Sequence, residues 1–219
     1  MKLVYFKGRG SAEPIRILAA IAKVQVEDQY ITTHDQWKAA AKPYGQVPVL
    51  ILDNGELLSQ SKAIIGYLGR AHGLYPTDNL EIARTEEVME AASDFNTELS
   101  KAFTADKTLR ATTIAGFKQT CARWLSVWDK HLKGKQFFVG NKVTVADIVA
   151  FKVLEDLVNY VGEADALSQY PEVAKFRKSF SSVKEVSEYM RSPRRLPLPK
   201  SEDDVAALMK GYGEIIRGA

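Results

Sequence analysis

Up to about residue 73, short strand-like runs alternate with helical spacings. Leu3-Val4-Tyr5-Phe6 is a run of strand-favouring residues closed by Gly8 and Gly10. Ile15, Leu18, Ala19 and Ala22 then recur at helical spacing, with Pro14 in the first turn, where a missing N–H is harmless. Glu27 to Ile31 reads as a second strand, and a short helix follows around Trp37. Val47 to Leu52 reads as a buried strand, Asp53-Asn54-Gly55 as a hairpin turn and Leu57-Leu58 as the return strand. Ser61 opens a helix running to about His72. The order β-α-β-α-β-β-α predicts a small mixed sheet with helices packed on its faces.

After Leu74-Tyr75-Pro76-Thr77-Asp78 the strand signals stop. Helical periods run over about 82–108, 112–133 and 144–160, with shorter ones to about 190. Thr144-Val145-Ala146-Asp147 has the form of a capping box, flanked by Val143 and Ile148 as a hydrophobic staple, and its expected role is structural. Trp124 and Trp128, one helical turn apart, and the pair Phe137-Phe138 read as core. Arg191 to Lys200 holds three prolines and four basic residues and reads as a solvated surface segment, after which Val205, Leu208 and Met209 hint at one more short helix. The predicted fold class is an α/β domain followed by an all-α domain, split as 1–74 and 82–219, with a C-terminal extension at about 196–219.

Composition narrows the chemistry. The 219 residues suit one large domain or two small ones, and 46% hydrophobic with 26% charged residues is ordinary globular composition. A net charge of +3 is too small for the concentrated basic face that nucleic acid requires, so no such partner is expected. Cys121 stands alone, which leaves no internal disulfide, and it reads as a small buried hydrophobe in mid-helix. His34, His72 and His131 have no metal-ligand spacing, so no metal is expected. No apolar run is long enough to span a membrane, and charges interrupt the N-terminal apolar run where a signal peptide would have none. A cytoplasmic protein is the expectation.

Three places could carry chemistry. Tyr5, at the end of the first strand, either points its hydroxyl into the crevice where open α/β sheets bind ligands or fills the core. Val47-Pro48 either opens a strand or leaves an edge backbone for an extended ligand. Gln60-Ser61 either caps a helix or offers its free amides and a hydroxyl to a carboxylate.

Taken together and in order, these motifs resemble those of the cytosolic glutathione transferases. Tyr5-Phe6-Lys7-Gly8-Arg9-Gly10-Ser11-Ala12-Glu13-Pro14-Ile15-Arg16 is similar to the first-strand signature of the sigma-like class, which includes haematopoietic prostaglandin D synthase. Gly45-Gln46-Val47-Pro48-Val49-Leu50, Gln60-Ser61-Lys62-Ala63-Ile64 and Phe138 to Asp147 extend the resemblance over about residues 1–195. It implies a thioredoxin-like first domain and conjugation of glutathione, as co-substrate rather than bound cofactor, to small hydrophobic electrophiles in detoxification. It also implies a role for each matching residue. Tyr5 would donate a hydrogen bond to the glutathione sulfur. The Val47 backbone, ahead of a cis Pro48, would pair with the cysteinyl part. Gln60 and Ser61 would hold the γ-glutamyl end, with Asp94 reaching it from the neighbouring subunit of a homodimer. Trp37 and a lysine, Lys42 or alternatively Lys38, would flank the glycyl carboxylate. Phe6, Gly8, Arg9 and Phe103 would line the electrophile pocket.

The departures from that pattern carry weight. Ser11 stands where many sigma-like members have a second arginine, which removes an electrostatic contribution and leaves Ser11 as an N-cap or a secondary donor. Ser93 beside Asp94 leaves an incomplete carboxylate cluster, so metal activation and prostaglandin isomerisation are not expected. The last residues run past the usual end of the family, where they could cover the electrophile pocket. Two other readings compete: a non-catalytic binding or structural member, and a glutathione-dependent isomerase or peroxidase. Redox catalysis by a thiol has no cysteine at the end of the first strand to use.

Overall fold

The computed structural model describes residues 1–42, 44–104, 110–199 and 202–218, and the chain divides into two compact units, Met1–Gly73 with Glu188–Ala219, and Leu74–Ser187. In the first unit, β1 (Lys2–Phe6) is central. It pairs in parallel with β2 (Glu27–Ile31), Tyr5 opposite Tyr30 and Phe6 opposite Ile31. It pairs antiparallel with β3 (Val49–Ile51), Val4 opposite Val49. With β4 (Leu57–Ser59) beyond β3, the order is β2-β1-β3-β4. A parallel neighbour demands a crossover, which α1 (Glu13–Ile21) supplies. The third strand is shorter than the apolar run suggests. Pro48 has no N–H to give a ladder, and pairing begins at Val49. Two further helices, α2 (His34–Ala40) and α3 (Ser61–Ala71), complete the N-terminal part. A capping box of Thr33 and Gln36, which the hydrophobic pattern does not reveal, starts α2.

The second unit is helical: α4 (Asn79–Thr104), α5 (Arg110–Leu132), α6 (Val145–Val161), α7 (Glu163–Leu167) and α8 (Pro171–Ser181). The expected extension of the first long helix to 108 lies partly outside the described residues. The apolar helix α6 packs against α4, α7 and α8 and is buried from Val145 to Leu154. Phe95 on α4 stacks on Trp124 at 5.2 Å and leans on Trp128, which meets Phe138 edge-on; Trp128 and Phe138 are core as expected, whereas Trp124 and Phe137 are only half-buried. Cys121 is buried within α5. The capping box at Thr144 is present. The Asp147 carboxylate accepts from Thr144 N–H at 2.8 Å, from the Thr144 hydroxyl at 3.0 Å and from Phe138 N–H at 2.8 Å. Burial pushes Asp147 up to about 6, although each of these bonds pulls the other way.

From α9 (Lys184–Arg191) the chain returns to the first unit, so the C-terminal segment belongs with the sheet and not with the helical domain expected over 82–219. The segment read as solvated is in fact tied down. Arg194 donates to Val26 O at 2.8 Å and lies 3.8 Å from Asp28, and Arg195 meets Glu13 at 3.4 Å with its side chain 11% exposed. The Tyr189 hydroxyl donates to Glu13 at 2.9 Å. The partner carboxylates surround Arg16, whose guanidinium is buried, bonds Asp28 at 2.7 Å and donates to Gly8 O at 2.9 Å. The buried carboxylate of Glu13 explains why Arg195 leaves water, which hydropathy does not reveal, while Arg191 and Arg194 stay exposed as expected. Beyond Pro199 the hinted short helix is sixteen residues long, α10 (Glu202–Arg217), and packs on α2.

Candidate active site

The first unit holds a cleft of about 340 Å³, formed where β1, α2, the approach to β3 and the start of α3 meet. Tyr5 packs against the cluster of Val4, Phe6, Ile31 and Val49, and its hydroxyl accepts a hydrogen bond from Ser11 N–H at 3.2 Å. The ring is half-buried against the core, and the oxygen is bonded to Ser11, which lines the cleft, while Tyr5 itself is not among the lining residues. A tight 3₁₀ turn, Gly10–Ala12, brings the amide there. Gly10 has φ +41°, and a Cβ on it would collide with the Tyr5 hydroxyl. Because the phenol oxygen is bonded as acceptor, its proton is free for another partner, and the bond polarises it as a donor.

The Val47–Pro48 peptide bond is cis, as the resemblance implies, and Val47 and Pro48 both line the cleft. At the start of α3 the N-cap is Gln60 and Ser61 is the first helical residue, which overturns the plain-cap reading of Ser61. Gln60 has φ +71°, costly for a residue with a Cβ, and its amide donates to Gln46 Oε1 at 3.0 Å. Gln60 and Ser61 line the cleft at the start of α3, where the first helical amides have no intrahelical acceptor. Trp37, on α2, lines the cleft as well.

Of the expected site residues, the structure thus gathers Phe6, Trp37, Val47, Pro48, Gln60 and Ser61 around one space, with the Tyr5 hydroxyl one hydrogen bond away. Lys42 and Lys38 are exposed and are not among its lining residues. Gly8 and Arg9 sit nearby under the C-terminal segment, Arg9 donating to Leu196 O and Gly8 closing against Tyr212. Asp94, exposed on α4, and Phe103, stacked on Tyr160 at 4.3 Å, belong to the second unit. Ser11 is not the N-cap of α1, which is Ala12. It lines the cleft instead.

Three contributors escaped the sequence reading. Gln46 supports Gln60, Ile216 lines the cleft, and Tyr212 stacks on Phe6 at 4.4 Å. The Tyr212 hydroxyl is buried with no hydrogen-bond partner among the described residues, and burial, helped by Tyr5, pushes it up to about 12. The sequence lets the last residues cover the electrophile pocket as a whole; no motif picks out Ile216, which α10 brings to the cleft, or Tyr212, which it sets on Phe6. Among the described residues no group of three His, Cys, Asp or Glu is placed to hold a metal ion, and no helix is long and apolar enough to cross a membrane.

Comparison with known proteins points in one direction. Residues 1–70 match the family described as glutathione S-transferase, N-terminal domain, and residues 93–193 match glutathione S-transferase, C-terminal domain. The chain is 31% identical over 206 residues to glutathione S-transferase alpha-4 of Rattus norvegicus, covering 90% of this chain and 91% of that protein. It is 30% identical over 206 residues to S-crystallin 3 of Enteroctopus dofleini, covering 86% and 94%. Among solved structures, rat hPGDS complexed with a quinoline superposes with a TM-score of 0.79 at 29% identity, over 91% of this chain and 98% of that one.

Proposed function

Since the chain belongs to the glutathione S-transferase family, we propose that it joins the thiolate of reduced glutathione to small hydrophobic electrophiles, with the Tyr5 hydroxyl donating to the sulfur. One observation carries the reading: Trp37, Val47, Pro48, Gln60 and Ser61 line a single cleft, and Ser11, which lines it too, donates its N–H to the Tyr5 hydroxyl and leaves that hydroxyl's proton free.

The chemistry follows from the thiol. A free thiol has a pKa near 8.5 and is mostly protonated at neutral pH, while the thiolate is the nucleophile. Lowering that pKa by about two units requires roughly 2.7 kcal/mol of preference for the charged form. One hydrogen bond to a charged group contributes about 1.5–3 kcal/mol, so Tyr5 can supply most of it as a donor that keeps its own proton. Sulfur then attacks the electrophilic carbon: the C–S bond forms, the leaving group departs with its electron pair, and the thiol proton goes to solvent. The Val47 backbone holds the cysteinyl part, Gln60 and Ser61 the γ-glutamyl end, and Trp37 with Lys42 or Lys38 the glycyl end. Pairing of two copies, with Asp94 reaching the neighbouring γ-glutamyl amine, the sigma-like assignment and a cytosolic detoxifying role belong to the same reading. Binding across this cleft positions the sulfur, and that positioning supplies the rest of the rate.

The test is conjugation to a simple aromatic halide as a function of pH. Tyr5→Phe is expected to lower kcat/KM by about 10- to 100-fold, the rate equivalent of the one charged hydrogen bond. The apparent pKa of the reaction should also rise toward that of free glutathione. Equal rates and profiles would reduce Tyr5 to a strand residue. A non-catalytic role is favoured by one observation, the similarity to S-crystallin 3, and it predicts glutathione binding with no turnover in the wild type.

A further inference from the structure

His34 opens α2, and three contacts meet on its ring. The imidazole stacks on Trp37 with ring centroids 5.7 Å apart. Its Nδ1 lies 3.0 Å from the carbonyl oxygen of Ile215 in α10; a carbonyl only accepts, so Nδ1 is the protonated nitrogen and donates. Gly218, with φ +73°, closes against the ring, where a Cβ would come within 3.0 Å. In that same last turn of α10, Ile216 lines the cleft, and Ile215 packs with Tyr212 on the core cluster of the sheet. The helix that carries Trp37 needs such support. With seven residues and none of them fully buried, α2 is too short to hold its own geometry and depends on what it packs against, the sheet cluster beneath Trp37 and Ala40 and α10.

From this juxtaposition we infer that His34 is a positioning residue: by tying the last turn of α10 to α2 it fixes Trp37 and Ile216 as walls of the cleft, so that the C-terminal helix governs glutathione affinity. The inference deepens the glutathione reading of the cleft and rests on it. Its consequence is specific to one substrate. Loosening the tie weakens glutathione binding and leaves the step at the sulfur, which Tyr5 controls, as it was.

The experiment titrates glutathione calorimetrically into the wild type, His34→Ala and His34→Asn, and follows amide hydrogen exchange in α10. His34→Ala is expected to raise the glutathione Kd about fivefold and to speed exchange over residues 212–217, with kcat at saturating glutathione unchanged; a general loss of fold would lower kcat as well. The amide of His34→Asn stands close to where the Nδ1–H stood, and it should bring the Kd back to within about twofold of the wild type. Unchanged Kd and exchange in His34→Ala would overturn the tie, and so would a raised Kd that His34→Asn does not recover. A wild type that does not bind glutathione would refute the parent reading instead, while the exchange measurement would still decide whether His34 holds α10.

Discussion

Two buried carboxylate sites, one in each unit, handle charge in different ways. In the helical unit, the carboxylate of Asp147 is fully buried, and its partners, Thr144 and Phe138, lie within nine residues of it. In the sheet unit, Glu13 and Arg16 are buried with Asp28 half-buried beside them, and their network is closed by Tyr189 and Arg195, which lie 176 and 182 residues along from Glu13. The first arrangement satisfies backbone donors at one helix start. The second fastens a distant segment of the chain onto the sheet. A buried ion pair is weak evidence of net stability, because desolvation offsets most of the attraction. Breaking one, however, strands its partners. The difference between the units is therefore one of consequence: losing Asp147 should injure one helix, whereas losing Arg16 should injure everything that converges on it.

The strongest way to break the comparison is Arg16→Met. Burial works against the guanidinium charge, but the hydrogen bond and charge of Asp28, with Tyr189 and Glu13, still hold its pKa above the usual value. Removing it leaves two carboxylates in the interior and Gly8 O without its donor, a loss of about 3–5 kcal/mol, read as a lower midpoint in urea unfolding.

Asp147→Ala should cost less, about 1–3 kcal/mol, because what it strands are two amides and a hydroxyl rather than charges. Its pH dependence sharpens the contrast. Asp147 is raised to about 6 from an ordinary 3.8, so between those values the folded chain holds a proton that the unfolded chain has released. The stability tied to that proton is complete below pH 4 and is lost as pH rises through 6. Measured against Asp147→Asn, which does not titrate, the wild type should lose roughly 3 kcal/mol between pH 3.5 and 7. A difference that is flat with pH would mean that the three hydrogen bonds balance burial, and one that rises with pH that they outweigh it.

The same contrast explains what could be read in advance. Thr144 and Asp147 are three residues apart, and a capping box is a rule of spacing, so it was legible. The strands and long helices were legible for the same reason, since their periods are local. Pro48 was legible because proline is excluded from a ladder, and Gln60-Ser61 because a helix pattern starts there. That Gln60 stands at positive φ was not, since nothing in a glutamine announces it. Arg195 beside Glu13 was illegible: one prolongs a basic stretch, the other sits in an amphipathic helix, and only the fold joins them. Ile216 and Tyr212 have ordinary apolar and aromatic side chains at the end of a segment without a motif. The patterns alone left Tyr5, Val47-Pro48 and Gln60-Ser61 with two readings each, and the family resemblance is what joined them with Trp37 into one expected site.

The smallest change tests whether the distant fastening is held by one group or by several. Tyr189→Phe removes only the hydroxyl that donates to Glu13. Burial, with Glu13 adding to it, pushes that hydroxyl far above the ordinary tyrosine value, so it remains a donor throughout the pH range in which the protein is handled. Glu13 still has Arg16 at 3.6 Å and Arg195 at 3.4 Å, so the carboxylate is not stranded and the cost should be near 1 kcal/mol, independent of pH from 6 to 9. The measurement is stability across that range, with amide exchange over residues 188–199. If exchange there quickens while α1 is unaffected, the segment is held by contacts that act separately, and losing one loosens it locally. If the cost instead approaches that of Arg16→Met, the network acts as one unit, and the hydroxyl is what keeps Glu13 turned toward its two arginines.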